Sequence, residues 1–199
     1  MKKTQNRIIS PHAGWRLCLY VMLVMFASCN SCRKDVNALP DATETGANTS
    51  GCFVNGRAWV PQGAGGFSGI KPMSGGYNGV GNNVYLRMEN SDKTSVVLYL
   101  KGVNGTGQYP LSFDTDIDTY YTTTQNFGLY ILRGANTGIL DYYYVTTSQV
   151  QGVVNITKAD RTNLLLAGTF SFEGIDRASG ARVKISEGRF DINQKTLNP

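Results

Sequence analysis

From Gly51 onward, apolar residues recur with a period of two. Val84, Leu86 and Met88 interleave with Tyr85, Arg87 and Glu89, and Val96, Leu98 and Leu100 with Val97, Tyr99 and Lys101. Phe127, Leu129 and Ile131 share one parity, as do Val150, Val154 and Ile156, then Leu164, Leu166, Phe170 and Phe172, then Val183 and Ile185, then Phe190 and Ile192. Successive side chains of a strand point to opposite faces, so each of these segments offers one apolar face. β-branched and aromatic residues dominate them, as strands favour. Turn chemistry falls between the runs. Asn55-Gly56 suits a type I′ hairpin turn, because both positions tolerate positive φ. Ala159 to Asn163 and Asp176 to Gly180 separate further strands. The pattern predicts an all-β fold: one antiparallel β-sandwich of about eight to ten strands over residues 51–194, with a closed β-barrel as the alternative. Residues 195–199 are expected to be a tail.

Two stretches lack this texture. Residues 63–81 hold eight glycines. A glycine-rich loop cradles phosphate where it opens a helix and a Lys-Ser or Lys-Thr pair follows. Neither condition is met, so the expectation is a long surface loop. Residues 29–50 have no aromatic side chain and few large apolar ones. Burial there cannot offset the entropy of ordering, so this stretch is expected to be a flexible tether.

The first 28 residues read as a processing signal. Lys2, Lys3, Arg7 and Arg16 precede the apolar run Leu17–Ala27. Such a run spans about 16 Å as a helix, roughly half a bilayer core. It ends in Phe26-Ala27-Ser28-Cys29, which resembles the lipobox of bacterial lipoproteins, with Phe26 where that pattern prefers Leu. The resemblance implies cleavage before Cys29 and a lipid, palmitate included, on its sulfur. Four of the 19 basic residues and none of the 14 acidic ones lie in this signal, leaving 15 basic residues against 14 acidic and a net charge of +1. A phosphate-backbone binder needs a basic folded surface, so nucleic acid is not an expected partner. The only histidine, His12, also lies in the signal. Without it no Ser-His-Asp set, Cys-His set or imidazole zinc site can be built. The chain is therefore expected not to be an enzyme and to need no cofactor beyond the covalent lipid.

Three groups remain as candidates. Asp114, Asp116 and Asp118 form D-x-D-x-D, which in a loop could converge on calcium. Thr119 and Gln125 break the EF-hand pattern, so a solvated acidic turn is the plainer reading. Tyr120 and Tyr121, with Tyr142, Tyr143 and Tyr144, form tyrosine clusters that could stack on a sugar or a partner surface. The plainer reading places half of each cluster in the core. Paired carboxylates in a cleft would permit glycoside hydrolysis. Trp59 is expected in the core just past the Asn-Gly turn. Cys52 is expected to be a buried thiol rather than paired with Cys32.

Four stretches carry a family resemblance: TGANTSGCFVNGRAWVP at 45–61, GQYPL at 107–111, ITKADRTNLLLAGTFSFEG at 156–174 and EGRFD at 187–191. With the lipobox, they look like a family of Bacteroidota lipoproteins known only as a domain of unknown function. The resemblance implies attachment to the outer membrane, with the periplasmic and outer faces both open, and brings no activity with it. The function expected is that of an outer-membrane lipoprotein acting as a non-enzymatic binding or scaffolding module for an envelope protein or glycan. A glycan-binding module using exposed aromatics and a carboxylate-dependent hydrolase are the alternatives.

Overall fold

Antiparallel pairing joins 11 strands into one continuous, curled sheet. The computed structural model describes residues 38–63, 69, 71–78, 81–114, 125–134 and 141–197. The strands are β1 (Thr49–Val54), β2 (Arg57–Trp59), β3 (Met73–Asn78), β4 (Asn83–Glu89), β5 (Thr94–Leu100), β6 (Gly107–Leu111), β7 (Phe127–Leu132), β8 (Tyr142–Val145), β9 (Gly152–Asp160), β10 (Leu165–Asp176) and β11 (Arg182–Asn193). One helical turn, α1 (Gln194–Leu197), follows. The all-β antiparallel expectation holds. The strands, however, do not separate into the two stacked layers of a sandwich. The order is β2-β1-β11-β10-β8-β7-β5-β4-β3, and β6 and β9 branch off β10. The branch arises because β10 is long. Its residues 165–172 pair with β9, and Ile175 and Asp176 pair with β8.

The concave face carries the main core. Leu86, Met88, Leu98, Val154, Ile156, Leu166, Phe170, Ile185 and Ile192 meet there, with Trp59 and Cys52 among them. Complete burial of a Leu, Ile or Phe side chain contributes about 1.5–3 kcal/mol, so this face dominates stability. The expectation of one apolar face per strand fails at the centre. Every residue of β5 is buried, because Val97 and Tyr99 on its convex side join Phe113, Phe127, Leu129, Ile131 and Val145 in a second cluster. Central strands covered on both sides lose their polar alternation.

Hairpin turns follow the predicted chemistry. Asn55 and Gly56 take φ of 49° and 79°, as a type I′ turn requires. The Asp160 carboxylate accepts from Asn163 N at 2.9 Å and caps the turn between β9 and β10.

Three boundaries differ from the expected ones. Residues 73–78 of the glycine-rich stretch form β3, paired along its whole length with β4. Residues 38–48, expected as tether, lie on the sheet as a strap. Pro40 and Leu39 cover Gly51, where an added Cβ would come within 2.9 Å and 3.3 Å of them. The strap ends at Asp191, whose carboxylate receives five hydrogen bonds from Thr43, Thr45, Gly46 and Ala47. The tail at 195–199 begins inside α1, and Gln194 just before it closes the curl. Its side-chain amide accepts from Tyr77 N at 2.9 Å and donates to Tyr77 O at 3.0 Å, standing in for a neighbouring strand at the free edge of β3. Leu197 packs against the core.

Cys52 is free and buried. Burial pushes its thiol up to about 12, so almost no thiolate exists at pH 8. Iodoacetamide at pH 8 is therefore expected to leave Cys52 unlabelled in the native protein and to label it in denaturant. Comparable labelling of Cys52 in both states, read by peptide mass, would contradict this burial.

Candidate functional site

The candidate site lies where β7, β8 and β10 end together. Directly opposed residues of an antiparallel pair share a face, so register decides which side chains meet. Tyr130 opposes Tyr144 and Leu132 opposes Tyr142. On the far side of β8, Tyr144 opposes Asp176. On the far side of β7, Val96 opposes Tyr130 and Thr94 opposes Leu132. Thr94, Tyr130, Leu132, Tyr142, Tyr144 and Asp176 therefore stand on the concave face. Tyr130 belongs to the core, and Tyr144 packs against it with ring centroids 6.0 Å apart and planes tilted by 47°. Beyond them the core stops. Leu132 and Tyr142 form a rim, 38% and 42% exposed. Tyr143, 37% exposed, points to the convex face opposite Ile131. Among the described residues these three are the large hydrophobic side chains left in water, and all belong to one strand pair.

Polar groups frame the rim on two sides. On one, Trp59 Nε1 donates to Thr94 Oγ1 at 2.8 Å, and the Thr94 hydroxyl donates to Asp92 Oδ1. Asp92 Oδ1 also accepts from Thr94 N at 3.0 Å. The buried indole is thus linked through one hydroxyl to an exposed carboxylate. Burial pushes the Tyr130 phenol up to about 12, and the Asp92 charge adds to this. On the other side, Asp176 is buried at the end of β10 and accepts from Ser179 N at 3.0 Å and from the Ser179 hydroxyl. Burial raises the Tyr144 phenol, and Asp176 and then Tyr142 raise it further. Both tyrosines therefore sit neutral in a negative field. One oxygen of each carboxylate, Asp92 Oδ1 and Asp176 Oδ2, accepts from donors of its own turn.

The other candidates fare differently. Asp114 is exposed, and its Oδ1 accepts from Ser148 N at 2.9 Å. That backbone hydrogen bond, with the Ser148 side chain, holds it below the usual carboxylate range. Asp116, Asp118, Tyr120, Tyr121, Cys29 and Cys32 lie outside the described residues. Among the described residues no group of three or more His, Cys, Asp or Glu side chains is placed to hold a metal ion. A cleft of about 380 Å³ opens between Ala42 of the strap and the surface of β9 to β11, with Val153, Thr169 and Gly188 in its walls. Its arginine, Arg189, is already bonded to Pro40 O and Glu187 O.

The tyrosine triple drew attention in the sequence, but Tyr130, Leu132, Asp92 and Asp176 did not. The signal that would have found them is register. The β7–β8 pairing sets Leu132 against Tyr142 and Tyr130 against Tyr144, and the β8–β10 pairing sets Asp176 on the other side of Tyr144.

Comparison with known proteins gives one family. Residues 81–191 match the family model described as Domain of unknown function (DUF6252). The match runs from the turn before β4 into β11 and includes every rim residue named above except Trp59. No curated protein and no solved structure matches the chain.

Proposed function

We propose, for a chain that belongs to the family described as Domain of unknown function (DUF6252), a role as a lipid-anchored, non-enzymatic binding module of the cell envelope. In this reading Cys29 carries the lipid and fixes the domain to the outer membrane of a Bacteroidota cell. The signal-like run Leu17–Ala27 and the small residues Ala27 and Ser28 before Cys29 support the anchor. The observation that carries the binding role is the rim, where Leu132 and Tyr142 remain in water on the face whose other apolar side chains are buried or half-buried. Exposed apolar residues gathered at one place favour a partner-binding surface over a purely structural one. The lone histidine, His12, lies in the signal-like segment, which supports binding over histidine-dependent catalysis.

The anchor has a direct test. Labelled palmitate is expected to enter the wild-type protein and not Cys29→Ala, and the variant is expected to leave the outer-membrane fraction. Labelling that persists in Cys29→Ala would defeat the lipoprotein reading.

A further inference from the structure

We infer that the rim formed by Leu132, Tyr142, Tyr144 and Asp176 is a docking surface for a basic side chain, a lysine ammonium or an arginine guanidinium, presented by a partner polypeptide. The inference rests on the binding role proposed above and names its ligand chemistry. Three features of the rim agree. First, Tyr142 and Tyr144 are two residues apart on one strand and share a face, so their Cβ atoms lie about 7 Å from one another. The face of a phenol ring carries negative charge density and attracts a cation within about 6 Å of its centroid. Second, carboxylates bracket the rings. Asp176 is the cross-strand partner of Tyr144, and Asp92 accepts hydrogen bonds from Thr94, the residue opposite Leu132. A cation on the rim would meet a negative field from both sides. Third, Leu132 opposes Tyr142 at the open end. An exposed leucine beside a tyrosine gives apolar contact to the methylene stem that carries a lysine or arginine head. A free ammonium ion would make no use of that contact, and so the geometry favours a polypeptide side chain. A sugar fits less well. It would have the single exposed ring of Tyr142 to stack on, since Tyr130 is buried and Tyr144 packs against it at 47°.

The test uses the intact protein in detergent micelles, with tyrosine ring signals followed by NMR. The probes are acetyl-Gly-Lys-Gly-amide and acetyl-Gly-Arg-Gly-amide. The same tripeptide with norleucine in the centre keeps the stem and removes the charge, and chitobiose represents a glycan. The lysine and arginine peptides are expected to shift the Tyr142 and Tyr144 signals saturably, and added salt should weaken them. The norleucine peptide should bind about tenfold more weakly or not at all. Tyr142→Ala changes an exposed side chain and should weaken the lysine peptide about tenfold without altering the fold. Asp176→Asn, which keeps an acceptor for Ser179, should weaken it similarly. Equal binding of the norleucine peptide, a response to chitobiose alone, or no response to either basic peptide would overturn the inference. The outcomes stay separable from those of the anchor test. A chain that fails to take up palmitate can still bind these peptides, and an acylated chain that ignores them sinks this inference alone.

Discussion

Replacing Asp191 by alanine is expected to free residues 43–47 and lower the melting temperature by about 10 °C. Asp191 is 2% exposed, and its two oxygens receive the hydrogen bonds of Thr43, Thr45, Gly46 and Ala47. Oδ2 accepts from Thr43 Oγ1 at 2.6 Å, Thr45 N at 2.9 Å and Ala47 N at 3.1 Å, and Oδ1 accepts from Gly46 N at 2.7 Å. Hydrogen bonds to a charged acceptor contribute about 1.5–3 kcal/mol each, less than additively within one cluster. Losing the cluster should therefore cost about 3–5 kcal/mol, or roughly 10 °C for a domain of this size. Asp191→Asn should fall nearly as far, since its amide group sets a donor against a ring of donors. The pH dependence has a definite sign. Burial alone would raise the Asp191 carboxyl, but the Thr43 hydroxyl and the amides of Ala47, Gly46 and Thr45 outweigh it and hold the group below the usual carboxylate range. A depressed carboxylate contributes stability above its unfolded pKa and loses it as pH falls through the folded one. The wild type should therefore lose stability below about pH 4, and the alanine variant should lack this part of the acid slope. Hydrogen exchange at residues 45–47 provides the local readout. Protection that survives in Asp191→Ala would mean that the strap is held by something else.

The strap also shows why local pattern is an incomplete guide. Residues 38–50, part of the stretch 29–50, read as a tether because that stretch has no aromatic and few large apolar side chains to bury. Their partner lies 144 to 148 residues away, in a strand whose own pattern only marks it as a strand. The alternation at Val84–Met88 and at Val96–Leu100, the Asn55-Gly56 turn and the buried Trp59 were readable because each depends on neighbours in sequence. The joining of the strands into one curled sheet depends on which strand flanks β10 at each level, and alternation does not encode that. The second cluster around Phe127 was hidden for a related reason: Val97 and Tyr99 look like the solvent side of β5 until Phe113 and β7 are placed beside them. The candidate site divides along the same line. Tyr142 to Tyr144 announce themselves by composition. Leu132 and Asp176 reach the rim only through register.

The glycine-rich stretch gives the second large effect. Gly75→Ala is expected to destabilise the fold by about 3–5 kcal/mol. Glycines have low strand propensity, and this made residues 63–81 read as a loop. In β3, however, Gly75 has φ of +110°, and a Cβ built there would stand 2.0 Å from Tyr85 O in β4. The obstacle is backbone, which cannot rotate away as a side-chain tip can. The substitution must part β3 from β4 or force Gly75 to another conformation. Its neighbour Gly76, at φ of +129°, faces the Gln194 amide that closes the curl, so the damage should spread to that closure. Gly102 supplies the control. It has φ of +67° with nothing within 4 Å of an added Cβ, so Gly102→Ala should cost only the left-handed strain of about 1–2 kcal/mol. Denaturant midpoints of the two variants decide the matter, and equal losses would remove the close approach to Tyr85 as the cause. The rim stands three strands away in the order β3-β4-β5-β7. Under conditions where Gly75→Ala remains folded, the lysine peptide should bind it as it binds wild type. The edge that costs most to disturb is then separate from the surface that recognises a partner.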